Sequence, residues 1–240
     1  MIKDIPRLGV LASGEGLTFE RMVRASHEGR LHMDIPVVIS THPDANVLQR
    51  AQRLGVGAEL VNRREYGRLT PEKELLFGRA IIEIFRSYDV DAVSQNGLIV
   101  MTPKNVIDEF EEIDNDHGGP KYETAGTMGR QTQYVMLGLM HETGRNDGSH
   151  TIIHRLSPDG KVDAGPTVAF AQFEMKWDDT PETLQERQKK VAADLQIKRW
   201  NSYAEGEPSI EVTEPRYIKE GEEELIPILI RRSKVAFPRG

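Results

Sequence analysis

The stretch Arg7-Leu8-Gly9-Val10-Leu11-Ala12-Ser13-Gly14-Glu15-Gly16-Leu17-Thr18 passes from an unbroken apolar run into a glycine loop, and Phe19 to Ala25 then places apolar residues at helical spacing. A strand buried on both faces of a parallel sheet reads as such a run, so the unit is strand, tight turn, helix. A loop in this position also gathers backbone N–H groups and the positive end of the helix at one point, which makes a ready anion site. Gly14 and Gly16 would permit close backbone approach, and Ser13 and Thr18 would add hydroxyls in a loop that runs through Leu17 and Thr18 to the helix opening at Phe19. Glu15 would have to point away from a bound anion. The loop lacks a Walker ending and a full dinucleotide fingerprint, and a tight turn without ligand explains the same residues.

Working outward, Ile35 to Ser40 reads as a strand, Asn46 to Leu54 as a helix closed by Gly55, and Ala58 to Val61 as a third strand. Thr70-Pro71 introduces a helix from Glu72 to Ser87, and Asp91 to Ser94 is the fourth strand. Alternating strands and helices predict an α/β fold with a doubly wound, mostly parallel sheet and right-handed crossovers. Thr102-Pro103 opens a further helix, and residues 130–141 form another. Residues 151–176 read as a hairpin, the antiparallel C-terminal part of the sheet: a strand to His154, a turn at Ser157-Pro158-Asp159-Gly160, and a return from Thr167 to Met175. Asp179-Thr180-Pro181-Glu182-Thr183 starts a last helix running to about Trp200. Beyond it, acidic Glu220 to Glu224 precedes apolar Leu225 to Ile230, which predicts a strand pair with Pro227 marking an edge.

The expected division is a catalytic domain over 1–200, split into a phosphate-binding half (1–105) and a catalytic half (106–200), with a C-terminal β extension over 201–240. That extension is too apolar to hang free, so it is expected to pair within its own subunit or across a homodimer, serving solubility or assembly rather than chemistry.

With 240 residues, 38% of them hydrophobic, the chain can bury one substantial core. The absence of Cys excludes disulfides and thiolate chemistry and suits a reducing cytoplasm. Met1 to Arg7 contains no apolar leader core, and no apolar run approaches the ~18 residues of a membrane span, so a soluble cytoplasmic protein is expected. A formal charge of −7 argues against a nucleic-acid surface and toward small-molecule ligands.

Asn115-Asp116-His117 follows the strand-like Glu112-Ile113-Asp114, and Asp163-Ala164-Gly165-Pro166 comes 46 residues after His117. An amide, an imidazole and a carboxylate suit the movement of an acyl carbon between nitrogens: they polarise a carbonyl, stabilise an oxyanion and manage protons. Ordinary turns at both places fit these residues as well. His150 and His154 are read as structural rather than as a metal pair, because no Cys or helical His-Glu-x-x-His accompanies them, and no metal is expected. His141-Glu142 is read as a solvated helix end.

In order and spacing, Ser13-Gly14-x-Gly16, Gly97, Asn115-x-His117, Asp163-x-Gly165-Pro166 and Asp179 to Leu184 resemble the folate-dependent glycinamide ribonucleotide formyltransferases, over about residues 7–200. The resemblance implies a Rossmann-like formyltransferase fold and formyl transfer from 10-formyltetrahydrofolate, a co-substrate, to the amine of a phosphorylated ribosyl acceptor in purine biosynthesis. It further implies that Asn115 bonds the formyl oxygen, His117 stabilises the oxyanion, and Asp163 supports the imidazolium or relays protons through water. Ser13, Gly14, Glu15, Gly16, Leu17 and Thr18 would hold the substrate phosphate. Gly97, Leu98, Ile99, Val100 and Met101, with Asp159 and Gly160, would line the folate pocket. The chain departs from the family pattern at Gly118-Gly119, where Pro-Ser is usual, and at Gly16-Leu17-Thr18, where Gly-Ser-Asn is usual. The ribose-binding Glu falls near Val191-Ala192-Ala193, and an Arg beside the pterin pocket is missing. These departures keep two alternatives open: a different amine acceptor such as an amino-sugar nucleotide, or a catalytically weak ligand-binding relative.

Overall fold

Residues 5–68, 70–157, 159 and 161–238 are described by the computed structural model of the protein. Five strands run parallel: β1 (Arg7–Leu11), β2 (Asp34–Ser40), β3 (Gly57–Leu60), β4 (Ala92–Gln95) and β5 (Ile113–His117). Two further strands, β6 (Ser149–Arg155) and β7 (Thr167–Phe173), continue the sheet antiparallel, in the order β3-β2-β1-β4-β5-β6-β7. Eight α-helices accompany them among the described residues: α1 (Leu17–His27), α2 (Asn46–Leu54), α3 (Pro71–Ser87), α4 (Lys104–Glu109), α5 (Lys121–Thr124), α6 (Arg130–Thr143), α7 (Pro181–Ala204) and α8 (Leu225–Ala236). The doubly wound reading and its antiparallel end are the architecture found.

Alternate residues of β1 serve opposite layers. Leu8 and Val10 pack with Phe19, Met22 and Val23 of α1 and with Trp200 of α7, while Leu11 packs with Phe77, Ile81 and Phe85 of α3. Gly9 leaves room for Phe85, since a Cβ there would lie 2.5 Å from the ring. Removing a buried ring of this kind costs about 3–5 kcal/mol. Two helix starts follow their sequence signals: Thr70 accepts from the Lys73 N–H, and Thr180 accepts from the Thr183 N–H in a reciprocal capping box.

Residues 225–236 correct the expectation of a β extension. The apolar run from Leu225 is helix α8, and its Pro227 occupies the first turn, where no backbone donor is needed. Leu229 is buried against α6 at Gly138, where a Cβ would come within 2.5 Å of the leucine side chain. A six-residue apolar run does not distinguish a buried strand from one face of a helix; packing on α6 decides it. Residues 207–219 run without regular structure, and Val212 N–H donates to the Thr167 carbonyl at 2.8 Å, the start of β7. The connection from β6 to β7 spans residues 156–166 and is longer than the four-residue turn expected, whose Pro158 and Gly160 lie outside the described residues.

Candidate active site

Strand order reverses at β1, with β2 on one side and β4 on the other, and open α/β sheets form their ligand crevice at such a point. The loops leaving β1 and β4 meet there: Ser13 N–H donates to the Gly97 carbonyl at 3.3 Å, and Ser13 and Thr41 hydroxyls are 2.7 Å apart. Gly16 takes φ of +70° as it caps α1, and no side chain caps that helix start. A Cβ on Gly16 would meet Val47 of α2 at 2.6 Å, whereas Gly14 has nothing within 4 Å of its Cβ position. Gly16 is therefore required by the fold, and Gly14 is the glycine that leaves space open. Glu15 accepts from the Asn46 amide at 2.9 Å, and its carbonyl accepts from Arg50 at 2.5 Å. Leu17 and Thr18 are the first two residues of α1, so the helix starts two residues earlier than the loop reading over 13–18 placed it.

After β4, Leu98 and Val100 pack into the core beside α3 and α4, while Ile99 and Met101 are about half exposed, at 46% and 49%. This alternation makes a small apolar shelf. Asp159 has only local partners among the described residues, the Ser157 hydroxyl at 2.5 Å and Lys161 at 2.9 Å. Gly160 lies outside the described residues.

The register of β5 sets Asn115 and His117 on one sheet face and Asp114 and Asp116 on the other. Because strands β1, β4 and β5 are neighbours about 4.8 Å apart, Asn115 stands on the order of 10 Å from the glycine loop. His117 is buried; its Nε2 lies 2.9 Å from the Thr124 hydroxyl, and its Nδ1 lies 3.8 Å from Asp163 Oδ2. Thr124 gives its own proton to the Pro120 carbonyl at 2.7 Å, so His117 donates from Nε2 and turns Nδ1 toward the carboxylate. Burial pushes the His117 pKa below 6.5, with Asp163 pulling it back up in part.

Asp163 comes from the β6–β7 connection with φ of +51°, a left-handed conformation that Asp tolerates better than most residues. Gly126 N–H donates to its Oδ2 at 2.9 Å. Burial raises the carboxyl pKa, but His154, His117 and the Gly126 N–H outweigh it and hold the group at about 2. Nearby Gly165 is obligatory, because a Cβ there would sit 1.9 Å from the Arg155 carbonyl oxygen. The structure thus brings Asn115, His117 and Asp163 into one cluster and leaves the glycine loop beside it.

The sequence reading did not include His154 in this cluster. β6 pairs His154 directly with Asn115, whose amide donates to His154 Nε2 at 3.0 Å, and Asp163 Oδ1 lies 3.5 Å from the same nitrogen. Its Nδ1–H donates to the Arg155 carbonyl at 2.9 Å. Only the antiparallel register makes His154 a neighbour, and register is invisible without the pairing partner. Thr124 and Gly126 were also missed, since neither carries a chemical signature in sequence. On the opposite face, burial raises Asp116 to about 7, and burial against Arg199 and Arg155 leaves Asp114 at about 6. On α7, Ala192 and Ala193 are buried and Asp194 is exposed, so no carboxylate stands where the family's ribose ligand was sought.

Residues 6–199 match the family model described as formyl transferase. Phosphoribosylglycinamide formyltransferase of Haemophilus influenzae is 27% identical over 184 residues, covering 75% of this chain and 79% of that protein. Trifunctional purine biosynthetic protein adenosine-3 of Gallus gallus is 23% identical over 188 residues, covering 77% of this chain, and the match spans only 17% of that longer protein. Among solved structures, glycinamide ribonucleotide transformylase 1 from Symbiobacterium toebii superposes with a TM-score of 0.72 at 27% identity, covering 84% of this chain and 89% of the other. With four fifths of its length inside that model and the amide, imidazole and carboxylate gathered along β5, the chain belongs to the formyl transferase family.

Proposed function

We propose that the protein transfers a formyl group from 10-formyltetrahydrofolate to the amine of a phosphorylated ribosyl acceptor, with glycinamide ribonucleotide in purine biosynthesis as the first candidate. The observation that carries this reading is the convergence of Asn115, His117 and Asp163 beside an uncapped helix start behind Gly14. Attack of a neutral amine on the formyl carbon develops negative oxygen and positive nitrogen together. Asn115 and His117 are the donors for the oxygen, His117 by sharing with it the Nε2–H that Thr124 accepts in the free protein, and Asp163 supports positive charge on His117 and relays protons through water. The new carbon–nitrogen bond forms as the bond to the folate nitrogen breaks, and the proton lost by the amine ends on that nitrogen. The apolar shelf of Ile99 and Met101 offers a wall for the folate ring.

A different amine acceptor is favoured by one observation, the buried alanines of α7 at the expected carboxylate position. The test is a formyl-transfer assay with 10-formyltetrahydrofolate, followed by absorbance, with glycinamide ribonucleotide and an amino-sugar nucleotide in parallel. Acceptor-dependent turnover with glycinamide ribonucleotide is expected. Turnover only with the sugar nucleotide would change the acceptor, and folate binding without turnover on either would support the ligand-binding alternative.

A further inference from the structure

The tail from residue 205 onward lies outside the matched residues 6–199, yet it touches the loop that orients the catalytic cluster. Residues 118–127, which include α5, face both ways. On one side Thr124 holds His117 and Gly126 holds Asp163. On the other, Lys121 N–H donates to Glu214 Oε2 at 2.8 Å, Tyr217 N–H donates to Glu123 Oε1 at 2.8 Å, and the Arg216 guanidinium stacks 4.1 Å above the Tyr122 ring.

Glu214 is anchored to the sheet as well. Its Oε1 accepts from the Thr167 hydroxyl at 2.8 Å, and its Oε2 accepts from His150 Nε2 at 3.0 Å. Tyr217 OH lies 2.9 Å from His150 Nδ1, so the phenol donates while the imidazole donates onward to the carboxylate. His150 is fully buried. One carboxylate of the tail therefore joins three elements: the β6–β7 pair contributes two donors, His150 and Thr167, and the loop contributes the third, the Lys121 N–H.

We propose that Glu214 is a positioning residue: by bonding Lys121 N–H, Thr167 and His150 together, it fixes the 118–127 loop so that Thr124 and Gly126 hold His117 and Asp163 in their working orientation. The effect on turnover rests on the formyl-transfer reading above; the effect on the loop does not. Glu214→Gln keeps the shape but sets an NH2 group against one of three donors, which releases the loop. Glu222→Gln is the control, because the Arg145–Glu222 pair at 2.6 Å ties down the same tail without touching the loop.

Amide exchange is measured first, on the free protein. In Glu214→Gln, protection at Lys121, Thr124 and Gly126 is expected to fall at least about tenfold while β5 and β6 stay protected, and Glu222→Gln is expected to leave all three unchanged. Turnover is measured with 10-formyltetrahydrofolate and glycinamide ribonucleotide. A fall in kcat of about 10- to 100-fold with both KM values within about twofold is expected, the scale of a small displacement of catalytic groups. Unchanged protection in Glu214→Gln, or equal loss in Glu222→Gln, overturns the proposal. If the wild-type protein is inactive on this acceptor, the functional reading fails and the exchange result still decides the latch. Should Glu214→Gln not fold, Tyr217→Phe removes one bond of the same network, and wild-type protection of the loop in that variant is the overturning result.

Discussion

His117 and Asp163 form a pair whose charges are set by opposite environments. Burial keeps His117 neutral at pH 7, while Asp163, Glu214, His154 and His150 are the charged or titratable groups around it. The acidic limb of kcat/KM is therefore expected below pH 6.5, the ordinary imidazole value. Asp163→Asn removes the charge that raises His117, so this limb should move to still lower pH while the rate at neutral pH falls. Asn accepts the left-handed backbone of position 163 as readily as Asp, so the variant should fold. A pH–rate profile checks both points, and a limb moving toward higher pH would contradict the pairing. His117→Ala should lower kcat by about 10² to 10³, the scale of one lost oxyanion donor, in a protein that still folds cooperatively; steady-state kinetics with a melting curve measure both.

The turn between β1 and α1 contains two glycines with different duties. Gly16 has positive φ and presses on Val47, so Gly16→Ala combines backbone strain with a clash against α2 and should destabilise the fold by about 1–3 kcal/mol. Gly14 opens onto free space, so Gly14→Ala should leave the melting temperature unchanged and raise the acceptor's KM while sparing that of the folate. Equal weakening of both substrates, or a lower melting temperature in Gly14→Ala, would remove the loop from acceptor binding. α8 shows the complementary problem at element scale. Its apolar run carried no decisive period, and only the close approach of Leu229 to Gly138 on α6 made it helical.

Across the whole molecule, four carboxyls pull stability in opposite directions with pH. Asp163 and Glu214 are held at about 2, and for both burial is outweighed by the donors they accept. Their contribution, up to about 2–3 kcal/mol each, is present above the ordinary carboxyl range and is lost as pH falls toward 2. Asp114 and Asp116 are raised by burial to about 6 and 7, so each penalises the folded state once ionised, and that penalty is relieved as pH falls through those values. Stability should therefore peak near about pH 5 and decline on both sides, as urea unfolding at a series of pH values would measure; a plateau from pH 5 to 8 would contradict the buried-acid assignment. The alternation of apolar runs with amphipathic segments from Arg7 to Ser94 fixes the parallel sheet from sequence alone, because burial on both faces leaves a pattern local enough to read. Asn115, His117 and Asp163 were legible for a similar reason: their side-chain chemistry is intrinsic, and their order resembles a known family. His154, Thr124, Gly126 and Glu214 were not. Their places beside the trio come from register and from contacts as distant as Glu214 to Lys121, and such contacts exist only once the sheet, the loop and the tail have packed together.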